Sequence, residues 1–137
     1  MGGMKEPTIL ELVWERDLVF AGRSGDASIV LDSAGVAGPS PVQALALALA
    51  GCMGMDVVHV LRKGRHDLRG LRIALTAERA QEDPHRITSV SIAVTVTGAV
   101  PKDQIQRAID LSHDKYCSVW HSMRQDIPFE ARFSVAP

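Results

Sequence analysis

The sequence predicts an α+β protein with the element order βββ–α–ββ–αα–β, an antiparallel sheet around a buried central helix. Three observations carry this reading. From Ser40 a run of Ala and Leu opens with helix-start signals. Leu68–Arg79 and Ile87–Val96 alternate apolar and polar residues as half-exposed strands do. After Pro101 apolar residues return at helical spacing, before alternation resumes at Phe129, Ala131, Phe133 and Val135.

Taken in order, Thr8 to Phe20 reads as β. Ile9, Leu10, Leu12, Val13 and Trp14 come first, Glu15-Arg16-Asp17 makes a charged turn, and Leu18, Val19 and Phe20 follow. Ala21–Asp26 is expected to be a second turn and Ala27–Leu31 a third short strand. Such a meander is too small to stand alone, so it must pair or pack against something. Asp32–Pro39 is a Gly/Pro-rich connector.

The central helix is expected from Pro41 to about Lys63. Ser40 and Gln43 have the spacing of a capping box, and Pro41 falls at the first helical position, where its missing N–H costs nothing. Ala and Leu are strong helix formers, and Gly64 is the expected stop. Apolar nearly all round, the helix should be buried on most faces. Cys52 sits in it between Gly51 and Gly54. Each glycine costs about 1 kcal/mol inside a helix, which is understandable if a chain segment or ligand must approach the thiol.

Beyond the helix, Lys63–Asp67 is a basic turn, and the two alternating strands form a long hairpin around the polar turn Ala80–His85. Ile105, Ala108, Ile109 and Ser112 give the second helix one stripe. Tyr116–Gln125 continues or restarts helically, and Ile127-Pro128 breaks it before the last strand.

At 137 residues the chain suits one domain. A net charge of −1 with mixed signs argues against nucleic acid or an anionic membrane as partner. Two cysteines, at 52 and 117, are no disulfide framework of a small secreted domain. The Met1–Pro7 segment carries no signal core. The uncharged run from Pro41 ends at Asp56, short of the roughly 20 residues a bilayer needs, so no membrane span is expected. A soluble, cytoplasmic protein follows.

Dinucleotide, phosphate-loop, zinc-protease and serine-hydrolase signatures are all absent. The cysteines carry what chemistry there is. A buried cysteine is ordinarily an inert core residue. Here Cys52 is flanked by glycines and Cys117 opens a helical segment. A thiol in an apolar interior ionises only with a cation nearby, and Asp56, one turn on, opposes it. A Cys₂His₂ zinc set is the other arrangement. His113, Cys117 and His121 share one face if their helix is continuous, with Cys52 as the fourth ligand. Solvated histidines are favoured over that set, so no metal or cofactor is expected.

Ser40-Pro41, the Ala-rich helix, Gly51-Cys52, and Lys115-Tyr116-Cys117-Ser118-Val119 together resemble the OsmC/Ohr family, the osmotically inducible protein C and organic hydroperoxide resistance proteins. The element order agrees over nearly the whole chain, and the likeness is nearest to the uncharacterised OsmC-like branch. It implies an intertwined homodimer whose N-terminal strands join the partner's sheet. It also implies a thiol peroxidase: Cys52 attacks an organic hydroperoxide, becomes a sulfenic acid and condenses with Cys117, and a dithiol or lipoyl group reduces the disulfide. An arginine from the N-terminal strands activates the thiolate in that family; Arg23 matches that role, with Arg16 the alternative. The family's partner Glu beside the helix-start proline is Val42 here. The competing reading is a non-catalytic dimeric module that binds a small hydrophobic molecule around Cys52.

Overall fold

The computed structural model describes residues 5–137; the absence of a signal core at Met1–Met4 concerns residues outside that range. The chain divides into two compact units, Met1–Leu45 and Ala46–Pro137.

The N-terminal unit is the predicted meander. Strands β1 (Glu11–Arg16), β2 (Val19–Ser24) and β3 (Ala27–Asp32) form an antiparallel sheet in the order β1-β2-β3. Ala21–Ser24, expected as a turn, is strand. Gly22 pairs with Leu12 on one side and Ile29 on the other, and both side chains lie over it. The turn shrinks to Gly25-Asp26, with Gly25 left-handed at φ +59°.

The sheet hides few of its apolar residues. Leu12, Val13, Trp14, Leu18 and Ile29 are all exposed. Its connector is tightly organised instead. The Asp32 carboxylate accepts the N–H groups of Ala34 (2.9 Å), Ala37 (2.9 Å) and Val36 (3.3 Å). A Cβ on Gly38 would fall on the Val30 carbonyl oxygen, so that position admits only glycine.

Helix α1 (Pro41–Lys63) opens with the predicted reciprocal box. The Ser40 N–H donates to Gln43 Oε1 at 2.9 Å, and the Gln43 N–H donates to Ser40 Oγ at 3.2 Å. It ends at Lys63, as expected, but the left-handed cap falls one residue beyond Gly64. Arg65 takes the left-handed conformation at φ 61°, and His66 N–H reaches back to the Leu61 carbonyl at 3.1 Å. That is a Schellman ending with arginine in the glycine position.

In the C-terminal unit, β4 (Asp67–Arg79) and β5 (Ile87–Ala99) form the expected hairpin. Helix α2 (Lys102–Leu111), a π turn (Ser112–Tyr116) and a short helix α3 (Ser118–His121) lead to β6 (Phe129–Ala136). The sheet order is β4-β5-β6. Here the expectation of a wholly antiparallel sheet fails, because β6 pairs parallel to β5, Val90 opposite Phe129 through Thr97 opposite Ala136. The long helical connection returns the chain to the end where β5 began, as a parallel crossover must.

The core joins alternate residues of β5 (Val90, Ile92, Val94, Val96) to one stripe of α1 (Leu49, Met53, Val57, Leu61) and to Ile105, Ile109 and Trp120. The expected burial of α1 on most faces is not met within one chain. A sheet covers one side of a helix, and Leu45, Leu47 and Met55 on other sides are exposed. Gly54 has a plain packing reason, since a Cβ there would lie 3.2 Å from the end of Ile73. Gly51 faces open space. By length and composition α1 is apolar enough to cross a membrane, a test that the core helix of a globular protein passes equally. In the fold its Leu49–Leu61 stripe belongs instead to the core shared with β5.

Candidate active site

Cys52 and Cys117 reach one place by different routes. Cys52 lies mid-way along α1, half-buried, and Asp56 follows at i+4 on the same face. Cys117 is brought there by a change in helix geometry. After α2 the chain widens into the π turn, and the Cys117 N–H bonds the Ser112 carbonyl five residues back at 2.8 Å. The extended Cys117 (φ −71°, ψ 102°) then caps α3, its sulfur accepting the Trp120 N–H at 3.3 Å. π turns of this kind concentrate at functional sites.

The two sulfurs and an Asp56 carboxylate oxygen all lie within 4.8 Å of one another. Both cysteines are free thiols. Ser112, fully buried, donates its hydroxyl to Asp56 Oδ2 at 2.8 Å and holds the carboxylate in place. Burial pushes the Cys117 thiol up to about 11, against the Trp120 N–H, which favours the thiolate; the Cys52 side chain adds to the rise. Cys117 is therefore a protonated, enclosed thiol at neutral pH. Cys52 is the one a solute can reach.

The histidines go elsewhere. The π turn and the break at Cys117 destroy the continuous helix that would have aligned His113, Cys117 and His121. His113 stacks on Phe129 with ring centroids 4.6 Å apart, and its Nδ1 meets Asp114 at 2.7 Å. His121 Nε2 lies 2.9 Å from the His113 carbonyl oxygen. The Cys₂His₂ set is thus not assembled, and the third group beside the two thiols is Asp56.

A cleft of about 550 Å³ borders the site at Asp56, lined also by His59, Lys63, Gln104, Arg107 and Tyr116. None of these residues was singled out as functional from sequence. The i, i+3 and i+7 spacing of Asp56, His59 and Lys63 along one helix face was the available signal. Arg23 lies in β2 of the N-terminal unit, exposed; among the described residues it makes no ion pair, only a long 3.5 Å contact to the Gly25 carbonyl. Arg16, the alternative, acts on Asp32 in the same unit, where it helps lower the carboxyl. Val42 occupies the first turn of α1, half-buried.

An unbonded, closely spaced pair of cysteines, one accessible and one enclosed, in an α+β fold with helices against a mixed sheet, defines a dithiol protein. The chain belongs to the OsmC-like protein family, whose model matches residues 32–132. It is 40% identical over 109 residues to Protein YhfA of Escherichia coli K12, spanning 77% of this chain and 81% of that one. A hypothetical protein from Aquifex aeolicus superposes with a TM-score of 0.89 at 25% identity, covering 96% of this chain and 98% of its own. The organic hydroperoxide resistance protein OhrB of Bacillus subtilis shares the fold, with a TM-score of 0.62 at 15% identity over 96% of this chain and 98% of its own.

Proposed function

We propose that the protein is a thiol peroxidase that reduces organic hydroperoxides. The observation that carries this reading is the pair of free sulfurs within 4.8 Å, one half-exposed and one enclosed. The Cys52 thiolate attacks the outer oxygen of ROOH, the O–O bond breaks, and ROH leaves with Cys52 as a sulfenic acid. The Cys117 sulfur then attacks Cys52, water departs, and a Cys52–Cys117 disulfide closes. The bonded sulfurs need about 2.05 Å, so only local side-chain movement is required. A dithiol or lipoyl reductant restores both thiols, in a cytoplasmic setting that keeps them reduced.

The same reading takes Arg23 as the cation that favours the Cys52 thiolate, and a homodimer as the working unit. A second copy of the chain is the occupant we assign to the exposed Trp14, Leu18, Leu47 and Met55, too many large apolar residues for a solitary domain to leave in water. The rival reading, a module for a hydrophobic molecule, is less well supported. The cleft at Asp56 does not include Cys52, and it carries the charged or polar His59, Lys63, Gln104 and Arg107 beside Val60, Leu111 and Tyr116.

A steady-state assay with a dithiol as reductant tests the activity. Cumene hydroperoxide should turn over faster than hydrogen peroxide, and Cys52→Ser should abolish both. Turnover that survives Cys52→Ser would overturn the proposal.

A further inference from the structure

We propose that Cys52, Asp56 and Cys117 form a binding site for a divalent transition metal, with Zn²⁺ the ion their chemistry suits. This goes beyond the peroxidase reading and does not depend on it. Two thiols and a carboxylate converge here on one point. For a cation the same arrangement is favourable, since thiolates and a carboxylate are zinc's usual anionic ligands.

The geometry fits. Ligands on a tetrahedral zinc, at about 2.3 Å for sulfur and 2.0–2.2 Å for oxygen, stand roughly 3.5–3.8 Å from one another. The three donor atoms already lie within 4.8 Å. Cys52 and Asp56 come from one rigid helix at i and i+4, and Cys117 is fixed by the π turn. The Ser112 hydroxyl bonded to Asp56 Oδ2 at 2.8 Å is the outer hydrogen bond that orients a ligating carboxylate. Asp56 also lines the cleft, which gives the ion an entry path and leaves the fourth position to water.

Binding is written Zn²⁺ + 2 RSH → Zn(SR)₂ + 2 H⁺, the protons leaving to solvent. A hydroperoxide reverses it, as ROOH + Zn(SR)₂ + 2 H⁺ → RSSR + ROH + H₂O + Zn²⁺. The metal-bound and disulfide states therefore exclude one another.

The test uses the full chain, reduced and metal-free under argon, titrated with Co²⁺. One Co²⁺ per chain should bind with a thiolate-to-cobalt charge-transfer band and the visible bands of a tetrahedral site, and Zn²⁺ should displace it. Cys52→Ser and Cys117→Ser should each diminish the charge-transfer band. Asp56→Asn should weaken binding by about tenfold or more with unchanged circular dichroism. X-ray absorption of the zinc-loaded wild type, which needs no variant, should count two sulfur scatterers with oxygen completing the shell. A reduced wild type without the charge-transfer band, a band undiminished in Cys117→Ser, or fewer than two sulfurs would overturn the site. Wild-type affinity in Asp56→Asn would overturn it as a three-ligand site.

Discussion

Ser112 donates its hydroxyl to Asp56 across 2.8 Å, joining the π turn to α1 over 56 residues of sequence. Because Ser112 also accepts the Cys117 N–H through its carbonyl, this one residue sets where Cys117 stands relative to the Cys52 helix. Ser112→Ala removes the donor from a partly buried carboxylate. It should cost about 1–3 kcal/mol in denaturant unfolding. It should also slow disulfide closure after Cys52 is oxidised, seen as a longer-lived sulfenic acid by trapping. Unchanged stability and closure would remove Ser112 from the account.

The end of α1 offers a stabilising change. Arg65 holds φ 61°, its N–H bonding the Arg62 carbonyl at 2.9 Å. A side chain in that conformation costs about 1 kcal/mol that glycine avoids. Arg65→Gly should raise the unfolding free energy by about 0.5–1 kcal/mol, read as a higher Tm, with activity unchanged. A lower Tm would mean the arginine head makes a contact worth more than the backbone strain.

Stability should fall at both ends of the pH range for identifiable reasons. The Ala37 and Ala34 N–H groups hold the Asp32 carboxyl below its ordinary value, with Val36 and Arg16 adding to them and burial opposing. A folded value below the unfolded one means the contribution is complete above the ordinary carboxylate range and is lost as pH falls through the folded value. Cys117 has the opposite sign. Raised by burial to about 11, its contribution is complete below the ordinary thiol value and is lost as pH climbs toward 11. Asp32→Asn should lower stability at neutral pH and flatten the acid limb of a Tm-against-pH profile, leaving the alkaline limb in place. An acid limb of unchanged slope would contradict the assignment.

Much of this was legible in the sequence because it is local. The Ser40/Gln43 box, the extent of α1 and the alternation of β4 and β5 each depend on neighbours a few residues apart, and each stands in the fold. The direction of β6 was not legible, since an alternating strand reads the same whether it pairs parallel or antiparallel. Ala21–Ser24 reads as a turn in the sequence, yet it is strand in the fold, where the cross-strand Leu12 and Ile29 side chains cover Gly22. At the site, the meeting of Cys52 with Cys117 came from family resemblance rather than spacing. Asp56 looked only unfavourable because its partner Ser112 lies far along the chain.

Arg23 and Val42 test how the thiolate is favoured. If Arg23 supplies the cation, Arg23→Ala should slow Cys52 oxidation by about tenfold or more, as loss of a nearby positive charge does, with the fold intact. Val42→Glu should speed it by fixing the guanidinium in a bidentate pair. An unpaired carboxylate there would instead cost several kcal/mol. Destabilisation without a gain in rate, together with an inert Arg23→Ala, would mean this activating pair is not built in this protein.

The most direct measurement is peptide mapping by mass spectrometry after the reduced protein meets one equivalent of cumene hydroperoxide. The account predicts a Cys52–Cys117 disulfide in the wild type, reversed by a dithiol, and a stable Cys52 sulfenic acid in Cys117→Ser. Cys117 recovered as a free thiol beside an oxidised Cys52 in the wild type would contradict the two-cysteine mechanism.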